Sequence, residues 1–214
     1  MTGPQGAFVV FEGGDGVGKT TQAELLCRWL ADRGREVVRT FEPGDTATGV
    51  VLRRLLLERG GWHVAPRTEA LLYAADKAQH VDEVVLPALA RGAVVVCDRY
   101  VDSMIAYQGA GRVLDPTEVE RVARWATGDL RPDLTVLLDL DPVHGVGVKA
   151  DLDRLESAGA DFHLRARDFL LALAAREPER YLLLPAREPR EVLAARIADR
   201  VLPLLSVGAG TLPR

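Results

Sequence analysis

Apolar and polar positions divide the chain into a regular alternation. Ala7-Phe8-Val9-Val10-Phe11 is an unbroken apolar run rich in β-branched residues, which predicts a strand covered on both faces. Four more stretches read as strands: Glu36–Thr40, Ala93–Cys97, Leu134–Leu140 and the short Tyr181–Leu184. Between them, apolar residues recur at helical spacing. Such stretches run through Gln22–Leu30 and through Gly49–Glu58, where Leu52, Leu55 and Leu56 share a face. A long helical region follows from Pro66 to about Arg91, and Pro87 predicts a kink or interruption within it. A short helix is expected around Asp102–Gln108, then a Gly109-Ala110-Gly111 loop. Helices are also expected from Asp115 to about Thr127, from Phe162 to Arg176 and from Pro189 to Leu205. Five apolar strands alternating with helices predict an α/β fold, a parallel sheet flanked by helices, in a single domain spanning residues 1–214. Three stretches lack periodicity. Residues 1–6 read as a loose leader, 141–155 as an irregular segment and 206–214 as a disordered tail.

The first strand runs into Gly13-Gly14-Asp15-Gly16-Val17-Gly18-Lys19-Thr20-Thr21, which fits G-x-x-x-x-G-K-[ST]. Glycines let successive backbone N–H groups turn toward one anion, and the following helix points its positive end at the same place. This pattern predicts a cradle for the phosphates of ATP. Lys19 would reach the β and γ oxygens, and the Thr20 hydroxyl would ligate Mg²⁺. Ligands of open α/β sheets bind beyond the carboxyl ends of strands. Two further loops sit there, Phe41-Glu42-Pro43-Gly44-Asp45-Thr46 and Asp98-Arg99-Tyr100. Asp98 ends a buried strand and predicts a carboxylate that holds Mg²⁺ beside Thr20. Arg99 predicts a bidentate phosphate clamp.

Charge and composition remove other classes. Lys+Arg 27 against Asp+Glu 31 gives a net charge of −4, so no basic excess points to nucleic acid. No polybasic run or long apolar span points to a membrane. Two cysteines, Cys27 and Cys97, lack metal-site spacing and predict free thiols in a reducing compartment. With no charged, apolar leader to direct export, a cytoplasmic protein is expected.

Four stretches together resemble the thymidylate kinase family. They are Glu12–Thr21, Glu42-Pro43-Gly44, Leu71–His80, and Asp98–Ser103 running on to Ala106-Tyr107-Gln108-Gly109. A weaker match is Asp139-Leu140-Asp141-Pro142, followed by Asp153–Glu156 and Phe162-His163. The resemblance covers about residues 7–205. It implies a three-layer P-loop NTPase fold with strand order 2-3-1-4-5, and transfer of the ATP γ-phosphoryl group to dTMP. A homodimer, with Mg²⁺ as cofactor, is also implied. Asp15 would meet the 3′-hydroxyl of the acceptor and Tyr73 would stack on its base. Lys77 would read that base, with Gln108 nearby. Glu42, Pro43 and Ser103 would line the acceptor site. Arg99 would clamp the monophosphate, and Tyr107 would crowd the 2′ position. Arg154 would close over the transferring group from a lid at about 141–157. A cis Glu42–Pro43 bond is expected.

The chain departs from the family pattern in three places. Phe41 stands where an arginine usually precedes Glu-Pro-Gly, and Arg39, on the same face of a strand, is a candidate substitute. Lys77 replaces an arginine and so offers a point charge instead of a fork. The stretch Val143–Arg154 holds one lysine and one arginine where the family has several arginines, leaving Arg154, Arg165 and Arg167 to supply what is missing. These departures keep two alternatives open: a kinase for another or modified deoxypyrimidine monophosphate, and a nucleotide-binding regulatory homologue with weak turnover.

Overall fold

Five strands form one parallel sheet in the order β2-β3-β1-β4-β5. The computed structural model describes residues 6–58, 63–141, 154–155 and 157–205. The expected leader apart from Gly6, the expected lid between 142 and 153, and the expected tail 206–214 lie outside the described residues. In chain order the elements are β1 (Ala7–Gly13), α1 (Lys19–Ala31), β2 (Val37–Phe41), α2 (Ala47–Leu57), α3 (Pro66–His80), α4 (Leu86–Ala90) and β3 (Val94–Asp98). They continue with α5 (Val101–Met104), α6 (Pro116–Ala126), β4 (Leu134–Asp139), α7 (Ala160–Arg176), β5 (Tyr181–Pro185) and α8 (Arg190–Val201).

The period of two along β1 explains the layers. Phe8 and Val10 pack into a core with α3, α5 and α6, while Val9 and Phe11 pack into a second core with α1 and α8. A third cluster joins Tyr107 to α7 and Tyr181. Register then sets the site. Phe11 and Phe41 both pair with Asp98, so three strands end level. The backbone continues the alignment: Glu42 N–H donates to Asp98 O at 3.0 Å and Arg99 N–H to Phe11 O at 2.9 Å. The glycine loop, the Glu42-Pro43-Gly44 loop and the Asp98-Arg99 loop therefore emerge side by side.

Two helical details differ from the pattern reading. The long helix is interrupted before Pro87, by a π-helical turn over Val81–Val85 in which Leu86 N–H reaches back to Val81 O. Pro87 then sits in the first turn of α4. A proline ring collides with the carbonyl four residues earlier, and a widened turn gives it room. Similarly, residues 109–111 are not a loop but part of a π-helical turn, Ile105–Gly111. The glycine there serves close packing: a Cβ on Gly111 would lie 2.6 Å from the Phe162 ring. Among the described residues, no helix is long and apolar enough to cross a membrane.

Candidate active site

The loop between β1 and α1 is built by backbone. Gly13, Gly16 and Gly18 have φ of 134°, 72° and 94°. At Gly13 a side chain is excluded twice over, because a Cβ would also lie 2.3 Å from Leu138 O. Val17 is buried beneath the loop, and Gly14, Asp15, Thr20 and Thr21 are at its outer surface. Lys19 Nζ donates to Gly14 O at 2.6 Å and to Gly13 O at 3.2 Å. Burial, then the nearby Arg99 charge, lowers the Lys19 ammonium to about 8. Thr20 Oγ1 donates to Asp98 Oδ2 at 2.9 Å, which brings together the two groups expected at a metal.

Arg99 holds a left-handed backbone, φ 70°, unusual for a residue with a side chain. That turn is braced from β1. Glu12, fully buried, accepts from Tyr100 N–H at 2.9 Å, from Ser103 N–H at 3.1 Å and from the Ser103 hydroxyl. The braced turn delivers the guanidinium across the glycine loop. Nη1 donates to Gly13 O at 3.1 Å and Ser103 Oγ at 3.0 Å, and Nη2 to Asp15 Oδ1 at 2.6 Å. The Tyr107 ring lies 5.2 Å from its carbon. Burial alone would raise the Asp15 carboxyl, but Arg99 and Lys19 hold it below its ordinary value. Burial, then the neighbouring Asp102 carboxyl, raises Glu12 from 4.5 to about 7.

Beside the loop opens a cleft that is continuous with solvent. Asp15, Arg99, Ser103 and Tyr107 face it from the glycine-loop side; Glu42, Pro43, Arg53, Tyr73, Lys77 and Gln108 face it from the other. The second wall rests on paired charges. Glu42 is buried between the Lys77 ammonium and His80 Nδ1, the latter at 2.7 Å. His80 Nε2 meets Thr40 Oγ1, which in turn donates to Asp45 at 2.6 Å. Burial alone would raise Glu42, but Lys77 and His80 outweigh it and hold the carboxyl low. Gly44 N–H donates to Asp76 at 3.0 Å, and burial, then Glu42, raises Asp76 to about 6. The Glu42–Pro43 bond is cis, as expected.

Farther along α3, Glu69 is completely buried and gathers three side chains. Gln108 Nε2 donates at 3.0 Å, Arg112 at 3.0 and 3.1 Å, and Arg154 at 2.6 Å. Arg154 also donates to Leu56 O at 2.8 Å, at the carboxyl end of α2. Arg165 donates to Ala110 O and Gly111 O, and Arg167 pairs with Asp139. Arg154, Arg165 and Arg167 are each held by partners outside the glycine loop in this structure.

The family model described as thymidylate kinase matches residues 11–197. A thymidylate kinase of Cutibacterium acnes is 60% identical over 201 residues, covering 94% of this chain and 98% of the relative. One of Clavibacter michiganensis subsp. michiganensis is 56% identical over 208 residues, covering 95% and 98%. A crystal structure of thymidylate kinase from Ehrlichia chaffeensis superposes with a TM-score of 0.77 at 28% identity, covering 92% of this chain and 98% of that one. The chain belongs to the thymidylate kinase family.

Within this thymidylate kinase family member, the departures take a clear form. Phe41 is 40% exposed at the end of β2. Arg39 turns away from the cleft and pairs with Glu24 of α1 at 3.0 Å. Arg53 of α2, which the pattern reading missed, lies over the Phe41 ring at 5.6 Å, donates to Pro43 O at 2.5 Å and lines the cleft. Lys77 is buried with Glu42 and also lines the cleft, 5.7 Å from the Tyr100 ring centre. Glu69 and His80 were likewise missed as site residues. A signal for them does exist in the sequence: Glu69, Tyr73, Asp76, Lys77 and His80 give α3 a polar stripe on its buried side.

Proposed function

We propose that this chain transfers the γ-phosphoryl group of ATP to dTMP, giving ADP and dTDP. The observation that carries the reading is the shared wall. Arg99 and Asp15 belong at once to a triphosphate cradle and to the cleft that opens beside it. Residues Gly13 to Thr21 would surround the ATP phosphates, with Lys19 leaving the Gly13 and Gly14 carbonyls to follow the moving charge. Arg99 would clamp the acceptor phosphate and Arg53 would contribute the second cation, in place of Arg39. Tyr73 would stack on the base, Lys77 and Gln108 would meet its polar edge, and Asp15 would meet the 3′-hydroxyl. Tyr107 would crowd the 2′ position, and Glu42, Pro43 and Ser103 would shape the floor.

A phosphate monoester dianion is already a nucleophile, so no general base is needed. One acceptor oxygen bonds to the γ-phosphorus as the bond to the β–γ bridging oxygen breaks, and catalysis is positioning plus charge stabilisation. Thr20 and Asp98 fit Mg²⁺: a hydroxyl and a carboxylate lie 2.9 Å apart at the loop mouth, hard oxygen donors of the kind that ion takes. When bound there, Mg²⁺ would offset charge on the triphosphate. Contacts with Glu69 and with α2 support an anchoring role for Arg154 in place of a catalytic one.

The same reading extends to a cytoplasmic homodimer. Both cysteines are free thiols, and Val50, Val51 and Leu55 of α2 and Leu71 of α3 expose apolar surface on two helices that pack together. Light scattering on the purified chain reads the oligomeric state. A coupled ADP-release assay over dTMP, dUMP, dCMP and dGMP tests the activity. Preference for dTMP is expected, and a clear preference for another acceptor would retire the assignment.

A further inference from the structure

Glu69 does not line the cleft itself; it stands behind Gln108. A carboxylate gripped by two guanidinium groups can only accept hydrogen bonds. The Gln108 side chain must therefore turn its NH₂ toward Glu69, as the 3.0 Å Nε2 contact shows. With its nitrogen committed to Glu69, the amide keeps its carbonyl oxygen as the acceptor it can offer elsewhere, and Gln108 borders the cleft. We propose that Glu69 is a specificity-determining positioning residue: it locks the Gln108 amide so that the pocket accepts from a ring N–H and rejects a bare ring nitrogen.

The inference rests on the reading that the cleft takes a pyrimidine nucleotide. Thymine and uracil carry a hydrogen on N3, whereas cytosine presents a lone pair there. A lone pair facing the Gln108 oxygen leaves both groups unpaired in a buried site, a loss worth roughly tenfold to a hundredfold in affinity. Lys77 lines the same cleft and, as a donor, favours a C4 carbonyl over a C4 amino group. The wild-type preference is therefore joint, and the share due to Glu69 is read from its change on substitution.

The experiment is calorimetric binding of dUMP and dCMP to the full chain. Wild type is expected to prefer dUMP by about tenfold or more. In Glu69→Gln the new amide accepts or donates, Gln108 is free to turn, and the preference is expected to fall about fivefold or more. Arg112→Lys loosens the same cluster but leaves Glu69 acceptor-only, so the preference should persist. A Glu69→Gln variant that keeps the wild-type preference, or an Arg112→Lys variant that loses it equally, overturns the proposal. If Glu69→Gln does not fold, Gln108→Met carries the test: a preference about fivefold lower than wild type supports the locked amide, and an unchanged preference overturns it. Turnover is scored separately. Binding preference without phosphoryl transfer would retire the proposed function but not this role for Glu69, and transfer without preference would do the reverse.

Discussion

The two walls of the cleft are held by different kinds of interaction. On the glycine-loop side, cations rest on provisional partners. Lys19 lies on two loop carbonyls, Arg99 on a third contact with Gly13 and on Asp15, and Thr20 on Asp98. A phosphate offers each donor a stronger partner, so these contacts are ones a ligand can replace. On the α3 side two buried carboxylates are each held by two side chains. Glu42 is held by Lys77 and His80, and Glu69 by Arg112 and Arg154. The difference supports the proposal that the first wall serves chemistry and the second shape and recognition. It also predicts opposite responses to substitution: activity should be lost on one side, stability on the other.

The largest effect is expected at Arg99. Arg99→Lys keeps the charge but cannot bridge Gly13 O, Ser103 Oγ and Asp15 together. Turnover with dTMP should fall about 10²–10³-fold while the melting temperature stays close to wild type. A variant that kept near-normal turnover would remove Arg99 from the chemistry. Next is Glu42→Gln, which removes the carboxylate charge that the buried Lys77 ammonium is paired with. Breaking such a pair costs about 3–5 kcal/mol, or a drop of roughly 6–20 °C in melting temperature for a chain of this size. Calorimetry on the unliganded chain reads it, and an unchanged melting temperature would erase the contrast between the walls.

A smaller effect sharpens where the acceptor cation comes from. Arg53→Ala should raise the KM for dTMP about tenfold, because the guanidinium faces the cleft beside Pro43. Arg39→Ala should leave KM unchanged, because its charge is spent on Glu24 outside the cleft. Steady-state kinetics on the pair decides between them; the reverse ranking would put the substitute on β2 after all.

These residues also show how far amino-acid pattern alone specifies the fold and the site. The glycine loop is legible because its geometry is local: spacing, glycine content and flanking elements lie within one stretch, and β1 through α1 form as expected. The strand order follows from the family resemblance, and the register that levels three strand ends follows from neither spacing nor resemblance. Arg53 and Arg54 are adjacent and alike in pattern, yet one lines the cleft and the other pairs with Glu58 at the surface. Only the packing of α2 against α3 separates them. The Glu42–Lys77 pair spans 35 residues of sequence and joins a loop to a helix, so no periodicity marks it. Arg154 is expected over the phosphates from the family resemblance, and its contact with the buried carboxylate of Glu69 is one that no local pattern marks.

An effect seen only as pH changes tests the joint between the walls. Glu12 belongs to neither: it lies near the end of β1 and braces the strained turn at Arg99 through Tyr100 and Ser103. Its carboxyl is raised from 4.5 to about 7, by burial first and then by Asp102. The native state therefore holds a proton that the unfolded chain has released between those values. The stability this contributes is complete below about 4.5 and is lost as pH rises through about 7, a change on the order of 3 kcal/mol. Glu12→Gln cannot titrate, yet its amide oxygen still accepts from the Tyr100 and Ser103 backbone. The melting temperature of wild type relative to Glu12→Gln should therefore fall between pH 5 and pH 8. Asp102, also raised by burial, keeps part of the slope in both proteins. Parallel curves for the two proteins would show that Glu12 is ionised throughout, with Arg99 acting as its permanent counter-charge, and the brace would then belong with the paired wall instead of the replaceable one.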